Sequence, residues 1–153
     1  MELKQLDIRN DVSITHAYFE TKLPSPPHHD VLVVQFTGQS GFGCANNSDA
    51  RYMAAMIHAG LTSFSPIGVL LDLREMAYEW GDMMAQPLCG GHAHYANGRN
   101  LPLAVVISDV NRGGLTSLVT DELGLDPSSL LFESMEAALR HLDRDVPDWD
   151  PIV

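Results

Sequence analysis

Three short runs, VLVVQFT at 31–37, IGVLLDL at 67–73 and LPLAVVISD at 101–109, are apolar on almost every side and too short for surface helices. A surface helix needs a polar face, so such runs suit strands covered on both faces, as in a parallel sheet. Between them the period changes. From Asp49, the residues Tyr52, Met53, Met56, Ile57, Leu61 and Phe64 recur three or four apart along one stripe of a helix. Asn47, Ser48 and Asp49 offer capping oxygens at its start, and Ser65-Pro66 ends it. Residues 82–98 predict a weaker helix with Met84, Leu88 and Tyr95 inward, because Pro87 fits only a first turn and Gly90-Gly91 costs helix stability. Leu115, Leu118, Val119 and Leu123 mark a third helix closed by Gly124. LLFE is a last strand, and Ser134 caps a last helix with Ala138, Leu139 and Leu142 on its inner face.

From residue 31 onward, strand and helix alternate four times. Parallel neighbours need crossover helices, so this order predicts an α/β fold with a mostly parallel central sheet. Ahead of it, Leu3, Leu6 and Ile8, and then VSITHAYF, read as two antiparallel edge strands with Asn10-Asp11 between them; LPSPPHHD is a loop. The 153 residues are expected to form one domain: N-terminal strands and a Pro-rich loop over 1–30, a core over 31–144, and an acidic tail over 145–153 that Trp149 docks.

Twenty acidic against nine basic residues give a formal charge of −11, which repels phosphate backbones and anionic headgroups alike. Nucleic acid and membrane surfaces are therefore excluded as expected partners, and a basic or neutral protein is favoured. The opening residues MELKQLDIRN have no continuous apolar block, and no run is long enough to span a bilayer, so a cytoplasmic protein is expected. Cys44 and Cys89 then read as reduced thiols.

Four features invite a chemical reading. GQSGFGC, Gly38 to Cys44, lies between a strand and a helix, but Cys44-Ala45 stand where a phosphate loop needs Lys-Ser or Lys-Thr, and Asn46 replaces the third glycine of a dinucleotide loop. It reads as a connector. Cys89 and His92 share a helical face while His94 points elsewhere, so even with His28 or His29 nothing fixes a tetrahedral set, and no metal or other cofactor is expected. No G-x-S-x-G elbow occurs, and the acids Asp72, Glu75, Glu79 and Asp82 read as a solvated charged loop rather than acid–base pairs. Met53, Met56, Met76, Met83 and Met84 read as core filling.

Strand GVLLDL, loop REMAYEWGD, strand PLAVVISD, the helix ending ELGL, strand SLLFES and helix MEAALRHL together resemble the STAS domain family, typified by anti-sigma factor antagonists. The resemblance covers residues 31–144 and rests most on Leu70-Leu71-Asp72-Leu73 and on LFESMEAALRHL. It implies a STAS-like fold and a non-enzymatic regulatory role in protein–protein interaction. It also implies a loop Asp-Ser-x-Gly whose serine is phosphorylated. Trp80 and Gly81 occupy the matching positions, and between Glu75 and Gly91 the only hydroxyl is the phenol of Tyr78, so the serine switch does not carry over. Glu75, Tyr78, Glu79, Trp80, Gly81 and Asp82 are accordingly expected to form a partner-binding loop at the carboxyl end of a central strand. The competing expectation for Tyr78 and Trp80 is that both fold back over the core. Two other functions fit the same residues: a small-molecule binder or enzyme with a pocket between the Gly38–Asn46 and Glu75–Asp82 loops, and an acidic inhibitor that masks a basic partner.

Overall fold

The computed structural model describes residues 1–88 and 101–145. The sheet has five strands in the order β1 (Ile14–Lys22), β2 (Asp30–Gln39), β3 (Gly68–Ala77), β4 (Leu103–Val106) and β5 (Leu131–Phe132). β1 runs antiparallel to β2, and every later pair is parallel. Helices α1 (Asn47–Phe64), α2 (Ala85–Leu88) and α3 (Arg112–Asp121) make the crossovers, and α4 (Met135–Asp145) follows β5. Because each new parallel strand is laid beside the last, right-handed crossovers put all three connecting helices on one face. The buried residues divide accordingly. Tyr52, Met53 and Ile57 of α1, Met84 and Leu88 around α2, and Leu115, Leu118 and Val119 of α3 share one cluster with Val34, Leu71 and Val105 of the sheet. Ala138 and Leu142 of α4 pack with Val31, Val33, Leu70 and Val106 on the other face. This is the mostly parallel α/β architecture expected from the alternation, with an antiparallel N-terminal edge.

Three local expectations are corrected. Leu3, Leu6 and Ile8 enter no strand and stay exposed, so β1 alone makes the antiparallel edge; the chain instead turns over Asp7–Asn10, where the Asn10 N–H donates to Asp7 O at 3.1 Å. The helix expected from Asp49 begins at Asn47, because a 3-10 turn at Gly43–Asn46 runs straight into it and no side chain caps the junction. Asp49 is fully buried and serves the N-terminal segment: it accepts from Ser13 N–H at 2.8 Å, Ser13 Oγ at 2.7 Å and Gly41 N–H at 3.1 Å. Its carboxylate still sits in the first turn of α1, where the helix dipole favours negative charge. Finally, β3 does not stop at Leu73 but continues to Ala77.

That continuation passes through a bulge. Gln35 pairs with Asp72 and Thr37 with Glu75, so two residues of β3, Leu73 and Arg74, stand opposite the single residue Phe36. An extra residue shifts the side-chain alternation by one. Before the bulge Leu71 and Leu73 face the three crossover helices; after it Met76 and Tyr78 do, and Glu75 turns out to solvent.

Candidate functional site

β4 pairs with β3 only from Val69 to Asp72, so the carbonyls of β3 beyond that point have no strand partner on the β4 side. The segment leading into α3 replaces the missing strand. Asn111, buried to 1% exposure, donates Nδ2 to Leu73 O at 2.6 Å and to Met76 O at 2.9 Å, while its Oδ1 accepts from Ser108 N–H at 3.0 Å. Ser108 Oγ donates to Arg74 O at 2.7 Å, and Tyr78 N–H donates to Val110 O at 3.3 Å. The carbonyls of Leu73, Arg74 and Met76 on this side thus each end on a fixed donor, as buried backbone carbonyls require.

The segment after Ala77 is held equally on its other side. Ser40 N–H donates to Ala77 O at 2.8 Å and Gly43 N–H to Trp80 O at 3.2 Å. Gly43 has φ +54°, and a Cβ there would lie 2.5 Å from Cη2 of Trp80, so the indole rests directly on this glycine. Asn46 is buried beneath, with Nδ2 on Ser40 Oγ and with Oδ1, against Gly81, unpaired among the described residues. The two loops therefore touch at Gly43–Trp80 and at Asn46–Gly81, and at these points contact among the described residues stands in place of the expected pocket between Gly38–Asn46 and Glu75–Asp82. On the α3 side, Gly114 allows a close approach that a side chain forbids: its Cβ would collide with Glu79 O and sit 2.9 Å from Cδ1 of Tyr78.

The six expected contact residues split. Glu75, Glu79 and Asp82 are exposed, and Trp80 is 60% exposed. Tyr78 is only 3% exposed and Gly81 is buried, so neither offers a side chain to a partner. The tyrosine is core because the bulge sets Met76 and Tyr78 inward; Trp80, two residues further on and past the end of β3 at Ala77, no longer follows that alternation and stays out. Tyr78 Oη donates to Gly81 O at 3.1 Å, which pins the chain at Gly81. Burial first, and then the carboxylates of Asp82 and Glu122, push its phenol up to about 12 against that hydrogen bond. Between the segment and α3 lies a hollow of about 120 Å³ bordered by Glu79, Trp80, Asp82, Asp121 and Glu122. It is smaller than the cavities that hold drug-sized ligands.

Asp72 forms no carboxyl pair with Asp82. It takes a bidentate pair of bonds from Arg74, Nε to Oδ1 and Nη2 to Oδ2, both at 2.9 Å, and a longer one from Gln35 at 3.3 Å. Burial raises the Asp72 carboxyl, but the Arg74 hydrogen bonds and charge outweigh it and hold the group below its ordinary value. Met53, Met76 and Met84 are fully buried and the half-buried Met56 packs against them, which makes these four core filling; Met83 is half-buried. Among the described residues no set of three His, Cys, Asp or Glu side chains converges as a metal site, and no helix is long and apolar enough to cross a membrane. Cys89, His92, His94, Tyr95 and Trp149 lie outside the described residues. Sequence reasoning missed Asn111, Ser108 and Asn46, for which the only available signal was a polar residue next to a glycine-rich or strand-ending segment.

No protein-family model matches the sequence, and no curated protein sequence matches it. Among solved structures, the crystal structure of an anti-sigma factor antagonist from Mycobacterium paratuberculosis is similar over 85% of this chain and 94% of that one, with a TM-score of 0.52 and 17% identity.

Two outcomes test this geometry. Asn111→Ala leaves two buried carbonyls and one amide unpaired and is expected to lower stability by about 2–4 kcal/mol, whereas Trp80→Ala is expected to cost less than about 1 kcal/mol, both by urea unfolding. Because the folded Asp72 carboxyl lies below its ordinary value of 3.8, the stability it adds is fully present above that value and is lost as pH falls through the lower folded one. Arg74 is half-exposed, which tempers the effect. Asp72→Asn should therefore lower the melting temperature at pH 7, and its difference from wild type should shrink as the pH is taken below 3.8. Strand order, the helix arrangement and the structural similarity together establish that the chain has a STAS-like α/β fold, the fold of that anti-sigma factor antagonist.

Proposed function

We propose that the chain is a non-catalytic regulatory module that docks another protein on the rim formed by Glu75, Glu79, Trp80 and Asp82. The observation that carries this reading is Trp80. Its ring is 60% exposed while the backbone that carries it is fixed from two sides, by Gly43 N–H on Trp80 O and by the Tyr78 phenol on Gly81 O. An exposed aromatic on a fixed backbone loses little conformational freedom when it inserts into a partner, and tryptophan is enriched among interface anchors. The carboxylates around it favour a partner that brings basic side chains. The hollow beside Trp80 has room for a side chain rather than a substrate, which also favours docking over catalysis. The STAS-like fold supports the same reading, since a protein of that fold is an anti-sigma factor antagonist. With no serine or threonine from Glu75 to Gly91, occupancy of this rim is governed by partner abundance and not by phosphorylation of a loop hydroxyl. A cytoplasmic setting and a single domain fit this role.

Cross-linked complexes from the native host, identified by mass spectrometry, supply the partner, and binding is then measured with purified proteins. Trp80→Ala should weaken binding by about thirtyfold or more, as loss of an anchoring aromatic does. Phe64→Ala, at the opposite end of the sheet, should leave binding unchanged. Affinity should also fall as salt rises. Equal losses from both variants, or none from Trp80→Ala, would remove the rim as the docking site.

A further inference from the structure

A cleft of about 440 Å³ opens between the end of α1 and the two outer strands, at the opposite end of β2 from Trp80. Its lining is about half polar, and the apolar and aromatic part comes from Tyr18 of β1, Leu32 of β2, Phe64 as the last residue of α1, and Ile67 just beyond. The chain reverses at Ser65, which takes a left-handed conformation with φ +47°, and this leaves the Phe64 ring 54% exposed over the cleft. Tyr18 is fixed in place. Its hydroxyl donates to Met56 O at 2.6 Å, and its ring meets Phe64 edge-on with centroids 5.4 Å apart. The hydroxyl is thereby engaged, and the tyrosine acts as a rigid aromatic wall.

The charged groups that face this cleft are the carboxylates of Glu20 and Asp30. Asp30 is neutralised by Lys22, whose Nζ lies 2.6 Å from Oδ1. Glu20 sits opposite Leu32 in the strand register, on the same face as Tyr18; it shares the charge of Lys22 with Asp30 but makes no close ion pair among the described residues. Two carboxylates against one ammonium therefore leave net negative charge beside an open aromatic hollow whose volume lies in the range of small-molecule sites.

We propose that this cleft binds a small organic cation, an ammonium group carried on an aromatic or branched apolar body. The walls bury the apolar body. Glu20 meets the charge at the rim, and the negative faces of the Tyr18 and Phe64 rings add cation–π attraction. An anion of the same shape is opposed both by Glu20 and by the chain's formal charge of −11. The site is independent of the rim at Trp80: it uses other residues, at the other end of the sheet.

The test is an amide-resolved NMR titration of the full chain at low salt with three probes of matched shape: 2-phenylethylammonium, neutral 2-phenylethanol and anionic 3-phenylpropanoate. The cation should shift the amides of Tyr18, Glu20, Leu32 and Ile67 saturably, and bind roughly tenfold more tightly than the alcohol, with the anion weakest. Glu20→Gln changes an exposed side chain on an intact strand, so the fold should survive, and it should reduce the cation's affinity to near that of the alcohol. Phe64→Ala should weaken the cation and the alcohol together. Equal binding of all three probes, shifts centred elsewhere, an unchanged cation preference in Glu20→Gln, or no saturation by about 10 mM cation would overturn the assignment.

Discussion

Beyond Asp72 the central strand outlives its neighbour, because β4 ends at Val106 while β3 runs on to Ala77. Five further residues of a strand without a partner on one side present carbonyls that water or side chains must satisfy. Asn111 and Ser108 do this from the β4–α3 connection, taking Leu73 O, Met76 O and Arg74 O in place of a strand. The same stretch carries the bulge at Leu73–Arg74, and the two features depend on each other: the bulge changes which carbonyls point toward α3, and Asn111 fixes the changed set. Everything displayed at this end of the sheet inherits its orientation from that arrangement.

The consequence is a rim with a buried layer and an exposed one. Met76 and Tyr78 are inward and complete the core beneath α1 and α3, while Glu75, Glu79, Trp80 and Asp82 are outward. Gly43 and Gly114 let the neighbouring loop and helix come close enough to clamp the backbone from both sides. One cost is visible. Asn46 Oδ1 lies against Gly81 at the centre of the clamp with no donor among the described residues, so the packing of the two loops is retained against a buried acceptor that they leave unpaired.

Much of the architecture was legible because a parallel sheet writes itself into sequence as short runs without polar alternation. VLVVQFT, IGVLLDL and PLAVVIS are such runs, and the stripe from Tyr52 to Phe64 separates the first two unmistakably from helix. What was not legible has a common physical origin. At the bulge the period-two signal of β3 changes phase, so REMA looks like the start of a loop although it is strand. The N-terminal Leu3, Leu6 and Ile8 have β-like spacing, but no strand edge is offered to them. Asp49 stands where a capping residue is expected, yet its carboxylate is drawn to the amides of Ser13 and Gly41, a contact spanning 36 residues in the first case. At the rim, composition marked an aromatic and acidic segment, but the changed phase decides that Tyr78 goes in, and the end of β3 at Ala77 is what leaves Trp80 out.

The most direct test of the central claim is residue-resolved hydrogen exchange at the rim. If the Asn111 bridge and the loop contacts hold the segment rigidly, the amides of Tyr78 and Gly43, which donate to Val110 O and Trp80 O, should exchange as slowly as the neighbouring core strands. Exchange of these amides at the rate of an open loop, with the core still protected, would contradict the account.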